Sequence, residues 1–510
     1  QRSDDRSHPP GTNRGPELML KPQLILKSLR ALLPVVVLLP VVSACVTQNP
    51  ATGEQNFTPF MQPEKERQIG AEEHPKMVKQ FGGVYDDPRI GGYVASIGGR
   101  LASHSERADL KFRFTVLNSP VVNAFALPGG YVYISRGLLA LANSEAELAS
   151  VLGHEIGHVT ARHSAQRYNK SVILGLGSAL LGAATGNRSV GQMAEMGSAI
   201  YLKGHSRDQE HQADELGIRY LARTGYSTLD SVAFLKSLQA ESSLARAIAG
   251  KQGKDPAASI FSTHPRTAER VQRTAAETAK ANPNAPNLRS RLLDKIDGMI
   301  YGDDPAQGLI RGRIFFHPDL GFTFSVPPGF RLINSPRAVL AQDRKGAKII
   351  FDSDSKPWRG NLSGYLIRNW GKKLRLNKVE PIQINSMTAA TGAARVKGKE
   401  GPLDLRMVAV RFDRKTIARF LFVSPVARTA ALDEAFRRTT FRFRRLAEDE
   451  RGEIKPLRIR VITVGARDTV ESLAGQMPFD DFQVARFRVL NGLASGQRLK
   501  TGQRAKTVSE

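Results

Sequence analysis

Ser144-Glu145-Ala146-Glu147-Leu148-Ala149-Ser150-Val151-Leu152-Gly153-His154-Glu155-Ile156-Gly157-His158 reads as a single helix with a metal-binding edge. Ser144 and Glu147 have the spacing of a capping box, so the helix begins there. Ala146, Leu148, Ala149, Val151, Leu152 and Ile156 supply an apolar face that Val159 continues. Residues four apart share one face, about 40° apart around the axis, so His154 and His158 can hold one Zn²⁺ between them. Glu155 then stands within reach of a water on that ion. The alternative is a pair of surface histidines beside an ordinary carboxylate, and so apolar a helix speaks against it.

A third ligand distinguishes the classes of zinc peptidase. Ala161 and Ser164 occupy the positions at which a metzincin carries glycine and histidine. His163, nine residues after His154, is about 180° around a continued helix and is expected to face away from the metal, as a surface or second-layer histidine. Downstream, Ser206 and Gln209 form another capping box and start another helix. Glu210 and Asp214 share a face of it, one able to bind metal and the other to orient a ligand histidine. On spacing alone, His205 and His211 remain rivals for the third position.

HEIGH followed by Glu210-x-x-Ala213-Asp214 resembles the gluzincin family of the CaaX prenyl endopeptidase, the HtpX membrane protease and periplasmic BepA. Asn123-Ala124-Phe125-Ala126-Leu127-Pro128-Gly129-Gly130 resembles the family's edge strand, and Ser135-Arg136-Gly137-Leu138-Leu139 the segment after it. Thr263-His264-Pro265, with Arg270 six residues on, resembles its late active-site motif. The resemblance spans about residues 60–285 and implies a mainly α-helical zincin-type metalloprotease domain with a small edge-strand sheet. It implies His154, His158 and Glu210 as ligands of one Zn²⁺ per chain, Glu155 as general base and Asp214 behind the ligands. It also implies His264 and Arg270 near the substrate carbonyl. Asn123, Phe125 and Ala126 would belong to a strand that pairs with an extended peptide, reading backbone rather than sequence. Zinc with three protein ligands keeps a fourth position for water, whose pKa falls to about 7. His264 could fill that fourth position and inhibit, or swing away and hydrogen-bond the oxyanion.

The amino terminus reads as an address. Lys21, Lys27 and Arg30 precede an apolar run from Ala31 to Val42, and Val42-Ser43-Ala44-Cys45 follows. The run is short for a bilayer span and has signal-peptide form. Val-Ser-Ala-Cys resembles a bacterial lipobox, which implies lipidation of Cys45, and Val46 after it favours the periplasmic face of the outer membrane. Cys45 is the only cysteine, so no intramolecular disulfide forms. Met19 precedes the basic segment, so 1–18 is expected as an upstream extension, 19–44 as the signal peptide and 45–63 as a tether.

At 510 residues, with 41% hydrophobic and 24% charged residues, the chain is of globular composition and long enough for about three domains. Its net charge of +26 would suit nucleic acid, but an exported lipoprotein meets anionic headgroups and cell-wall polymers instead, so no nucleic-acid partner is expected. Ser171–Thr185 is glycine-rich and shorter than a membrane span, and is expected as a flap over the cleft or a buried helix.

The metallopeptidase domain is expected over 64–285, ending at a Pro/Asn-rich break, with a linker over 286–307. Alternating segments at 321–330, 347–351, 387–396, 405–412 and 417–423 predict strands. Helices at 360–373 and 430–438 complete an antiparallel α+β domain over 308–446, of unreadable role. Residues 447–510 read as strand, helix, helix, strand. With Asp468-Thr469 and Leu490-Asn491, this βααβ order resembles a LysM module, which implies binding of peptidoglycan; a fold used only for packing is the alternative. Two functions compete: a zinc endopeptidase that cleaves unfolded or misassembled envelope proteins, and an envelope chaperone, scaffold or cell-wall binder with little proteolysis. Glu155 favours the enzyme, because holding zinc does not require a base. A peptidoglycan hydrolase suits the tail but not the peptide-binding strand.

Overall fold

The computed structural model describes residues 46–172, 204–250, 260–264, 268–279, 282 and 284–510. The expected upstream extension, the signal peptide, Cys45, the glycine-rich segment beyond residue 172 and Pro265 lie outside them. Among the described residues no helix is long and apolar enough to cross a membrane.

The stretch expected as a tether folds. β1 (Val46–Gln48) and β2 (Gln55–Phe57) pair as an antiparallel hairpin. Asn49 closes its loop: its N–H donates to Glu54 O, and its own carbonyl accepts from Gly53 N–H, with Gly53 at φ 76°. Met61, just beyond, is fully buried. Helices α1 (Pro63–Gln80) and α2 (Pro88–Ser103) follow. A three-stranded sheet of β3 (Arg113–Leu117), β4 (Ala124–Leu127) and β5 (Tyr131–Ser135) comes next, in the order β3-β5-β4. β3 runs parallel to β5 and β4 antiparallel to it, which leaves β4 at one edge. Gly129 turns the chain between β4 and β5 at φ 80°, where a Cβ would stand 2.8 Å from Arg67 Cα, so only glycine fits.

Ser135 caps α3 (Arg136–Leu141), and α4 (Glu145–Thr160) is the HExxH helix. Ser144 Oγ accepts from Glu147 N–H, as a capping box requires, but the Glu147 carboxylate accepts from Asn143 N–H, one residue earlier than the motif predicts. Glu145 anchors the same end, accepting from the hydroxyls of Tyr93 and Tyr226. Every residue of α4 except His154 is buried. α5 (Arg207–Arg223) starts at the full Ser206/Gln209 capping box. α6 (Leu229–Ala249), the short turn Ile260–Thr263, α7 (Ala268–Glu277) and α8 (Arg289–Ile296) complete this part.

α8 lies in the expected linker yet buries Leu292, Leu293 and Ile296 in the same core as Leu152 and Ile156 of α4. Beyond it, a seven-stranded antiparallel sheet runs from Asn377–Ile384 through Met387–Gly398, Gly401–Arg411, Ile417–Pro425, Lys348–Asp354 and Val339–Gln342 to Arg331–Asn334. A four-stranded sheet and the helix Thr429–Phe441 pack with it around a separate core rich in phenylalanine, including Phe315, Phe324, Phe351, Phe420 and Phe443. The chain is thus multidomain, with a helical peptidase-like part and antiparallel sheets after it.

The tail has strand Arg458–Thr463, helices Val470–Gly475 and Gln483–Asn491, and strand Arg504–Ser509, with the two strands paired antiparallel. It is not a free module. Ile459, Leu473, Phe487 and Val508 belong to the same core as the HExxH helix. Lys506 is fully buried and donates to the carbonyls of Ala140 and Ala142 at 2.6 and 2.7 Å, at the end of α3.

Candidate metal centre

Two close-packed helices assemble the site. Gly153 and Gly157 of α4 face Ala213 and Gly217 of α5. A Cβ on Gly217 would stand 3.0 Å from His154 N, and one on Gly157 would stand 3.1 Å from Ala213 O. Small residues at this crossing let the backbones approach closely and carry Glu210 up to the two histidines.

His154 Nε2 lies 3.0 Å from His158 Nε2 and 3.2 Å from His264 Nδ1. Glu210 Oε1 lies 3.0 Å from His264 Nδ1 and 3.4 Å from His158 Nε2, and Glu210 Oε2 lies 3.6 Å from His154 Nε2. These four residues could hold a metal ion. Zinc ligands at about 2.0–2.1 Å in a tetrahedron are about 3.3 Å from one another, and the observed spacings bracket that value. The nitrogen and carboxylate donor set also suits zinc. Burial opposes the charge on Glu210, yet His264, His154 and Arg270 lower its pKa on balance, so it stands as a carboxylate. Burial drives the His158 pKa well down and keeps its ring neutral, the form that binds a metal.

Glu155 is buried on the same surface of α4, and neither carboxylate oxygen makes a hydrogen bond among the described residues. His264 Nε2 is 3.3 Å from Oε1 but badly aligned for one. Burial raises the Glu155 pKa, with His264 and His154 working against it. A buried carboxylate without a hydrogen bond is costly. Glu155, His154, His264 and Arg270 line one largely apolar cavity, whose other walls include Val151, Ile218, Phe234, Leu238 and Ile260.

Among the outer partners, the place of His163 differs from expectation. Asp214 lies behind His154, Oδ1 to Nδ1 at 2.9 Å. Arg270 forks onto Asp214, with Nε and Nη2 donating at 2.8 and 2.7 Å, while Nη1 lies 2.6 Å from Glu210 Oε2. Two buried carboxylates draw the guanidinium to themselves. His163 does not face away. α4 ends at Thr160, Arg162 takes φ 58°, and a new helical turn brings His163 Nδ1 to 2.7 Å from His158 Nδ1. His205 stacks on His158 with ring centroids 3.7 Å apart, and His211 points elsewhere, toward Arg273. Gln212, which no sequence pattern singled out, meets His163 Nε2 at 2.7 Å. On the substrate side, Phe125 of β4 packs between Phe81 and Tyr133, the side-chain oxygen of the buried Asn123 lies 3.5 Å from the Thr263 hydroxyl, and Ala126 is buried.

Residues 88–278 match Peptidase family M48. The chain is 31% identical over 248 residues to a putative beta-barrel assembly-enhancing protease of Vibrio cholerae, covering 45% of this chain and 49% of that protein. It is 34% identical over 164 residues to the beta-barrel assembly-enhancing protease of Escherichia coli K12, covering 30% and 34%. It is 33% identical over 165 residues to the mitochondrial metalloendopeptidase OMA1 of Arabidopsis thaliana, covering 32% and 31%. The chain thus spans about a third to a half of the curated relatives it matches. HExxH and Glu210 lie inside the matched span, so residues 88–278 are a Peptidase M48 family domain.

Proposed function

We propose that this protein is a zinc-dependent endopeptidase of the bacterial cell envelope that cleaves unfolded or misassembled envelope proteins. The observation that carries the reading is Glu155: a buried carboxylate without a hydrogen bond among the described residues, next to four converging side chains that could hold a metal ion. Zinc, when bound, supplies a Lewis acid that polarises the scissile carbonyl and acidifies water. His154, His158 and Glu210 would hold it, with Asp214 and Arg270 fixing His154 and Glu210. Glu155 takes a proton from the attacking water and returns it to the leaving amine. His264, 3.2 Å from His154 Nε2 and 3.0 Å from Glu210 Oε1, could serve as a fourth ligand and would then close the site. With His264 withdrawn, its imidazole can hydrogen-bond the oxyanion of the substrate.

The apolar cavity beside Glu155 would take an apolar side chain next to the scissile bond, the kind of residue that unfolded chains expose. β4 is the sheet edge along which an extended peptide would pair. Its four residues are all buried, so that pairing requires the cleft to open. The relatives' names and the lipobox resemblance support an envelope address, with lipidation at Cys45. Peptidoglycan contact through the tail would use its outward surface, because its apolar face is already committed to the peptidase core.

The test compares parent and Glu155→Gln protein on unfolded casein, with zinc content measured on both. Cleavage is expected to fall by about 10²–10⁴-fold at unchanged zinc. Undiminished cleavage by the variant would remove Glu155 from the mechanism.

A further inference from the structure

The two histidines of HExxH have outer partners of different chemistry. His154 Nδ1 meets a carboxylate, Asp214. His158 Nδ1 meets another imidazole, His163 Nδ1, at 2.7 Å, and His163 Nε2 meets Gln212 Oε1 at 2.7 Å. His158 and His163 are only 2% and 1% exposed, so water does not compete for these contacts.

Donor and acceptor chemistry allows one proton arrangement. His158 Nε2 faces His154 Nε2 and Glu210 Oε1, so it must offer a bare lone pair to bind a cation there. The neutral ring then carries its proton on Nδ1 and donates it. His163 Nδ1 must therefore accept, which leaves the His163 proton on Nε2. That proton points at Gln212 Oε1, an amide oxygen that can only accept. The same oxygen lies 3.4 Å from the Asn49 side-chain nitrogen, in the hairpin that opens the described chain. His205 covers one face of the His158 ring, the two planes 16° apart. An imidazole that merely filled space would not have its two nitrogens matched in this order.

We propose that His163 is a positioning residue for the metal centre: held by Gln212, it fixes the tautomer and ring orientation of His158. The inference rests on the metal-site reading above. Outer-shell partners of this kind commonly alter metal affinity about 10–100-fold.

The experiment uses the full chain, with zinc affinity measured by competition against a chromophoric chelator and the ligand field by the visible spectrum of the cobalt-loaded protein. His163→Leu, which removes the acceptor, is expected to weaken zinc binding about 10–100-fold and shift the cobalt bands, with the far-UV circular dichroism of the parent. His163→Asn, whose amide oxygen stands near the place of Nδ1, is expected to restore most of the affinity. Gln212→Leu is expected to weaken zinc binding in the same direction by a smaller factor. Parent affinity in a folded His163→Leu protein overturns the proposal. Should His163→Leu not fold, Gln212→Leu decides instead: a several-fold loss supports the relay, and parent affinity overturns it. A parent chain that takes up no zinc overturns the metal-site reading and the proposal together, so the two failures are distinguishable.

Discussion

Arg162 shows how one backbone dihedral shapes this centre. A regular helix continued past Thr160 would carry His163 to the far side of the axis, but Arg162 at φ 58° breaks it and folds the chain back. A left-handed conformation in a residue with a Cβ costs about 1–2 kcal/mol and persists only where its surroundings hold it. Here the side chain does so: Nε donates to Glu66 at 2.8 Å and Nη2 to Met61 O at 2.6 Å, all of it buried. Arg162→Ala should destabilise the fold by about 3 kcal/mol. That is the low end for a broken buried pair, because burial already raises the Glu66 pKa more than Arg162 lowers it, and the orphaned carboxyl can protonate. Urea unfolding measures the loss. A midpoint unchanged from the parent would mean the turn holds itself.

Between elements, the decisive contact is the crossing of α4 and α5. The ligands come from two helices, and only glycine and alanine separate the backbones at Gly153, Gly157, Ala213 and Gly217. Gly217→Val would place branched carbon within van der Waals range of the His154 backbone and push Glu210 away from the histidines. Zinc affinity should fall by about tenfold or more at retained helicity, read by chelator competition and circular dichroism. Parent affinity would mean the helices separate without moving the ligands. The strands and helices of the sheet domain between 321 and 441 were largely readable from alternation and turn residues. The short strands Leu309–Arg311, Ile314–His317, Arg331–Asn334 and Val339–Gln342 were not, because three or four residues carry too little periodicity to separate strand from loop.

For the whole molecule, the tail and the peptidase part share one core. Removing residues after Lys455 would expose Leu292, Leu293 and Ile296 of α8 and take Lys506 from the carbonyls of Ala140 and Ala142. The hydrogen bonds of Lys506, worth about 0.5–1.5 kcal/mol each net, would be lost on top of the apolar surface uncovered. The truncated chain should therefore unfold at lower temperature and cleave casein poorly. A truncation with the parent's melting temperature would make the tail a separable module after all. The expected linker at 286–307 errs for the same reason: a Pro/Asn-rich break marks a change of direction, and the chain turned back into the core it had just left.

Local chemistry was enough to specify the HExxH helix, its cap at Ser144, the second helix opened by the Ser206/Gln209 box, and the βααβ order of the tail. Each depends on residues within a few turns of one another, where period and hydrogen-bond geometry act directly. The meeting of His264 and Glu210 with His154 and His158, the pairing of Arg270 with Asp214 and Glu210, and the burial of Lys506 against α3 depend on contacts across 52 to 366 residues. So does the His158–His163–Gln212 relay, for although two of its members are five residues apart, the turn that joins them is held by Glu66 and Met61. No periodicity encodes such pairings. Buried charges and donors take the partners that close packing brings within reach, and only the tertiary structure decides which those are.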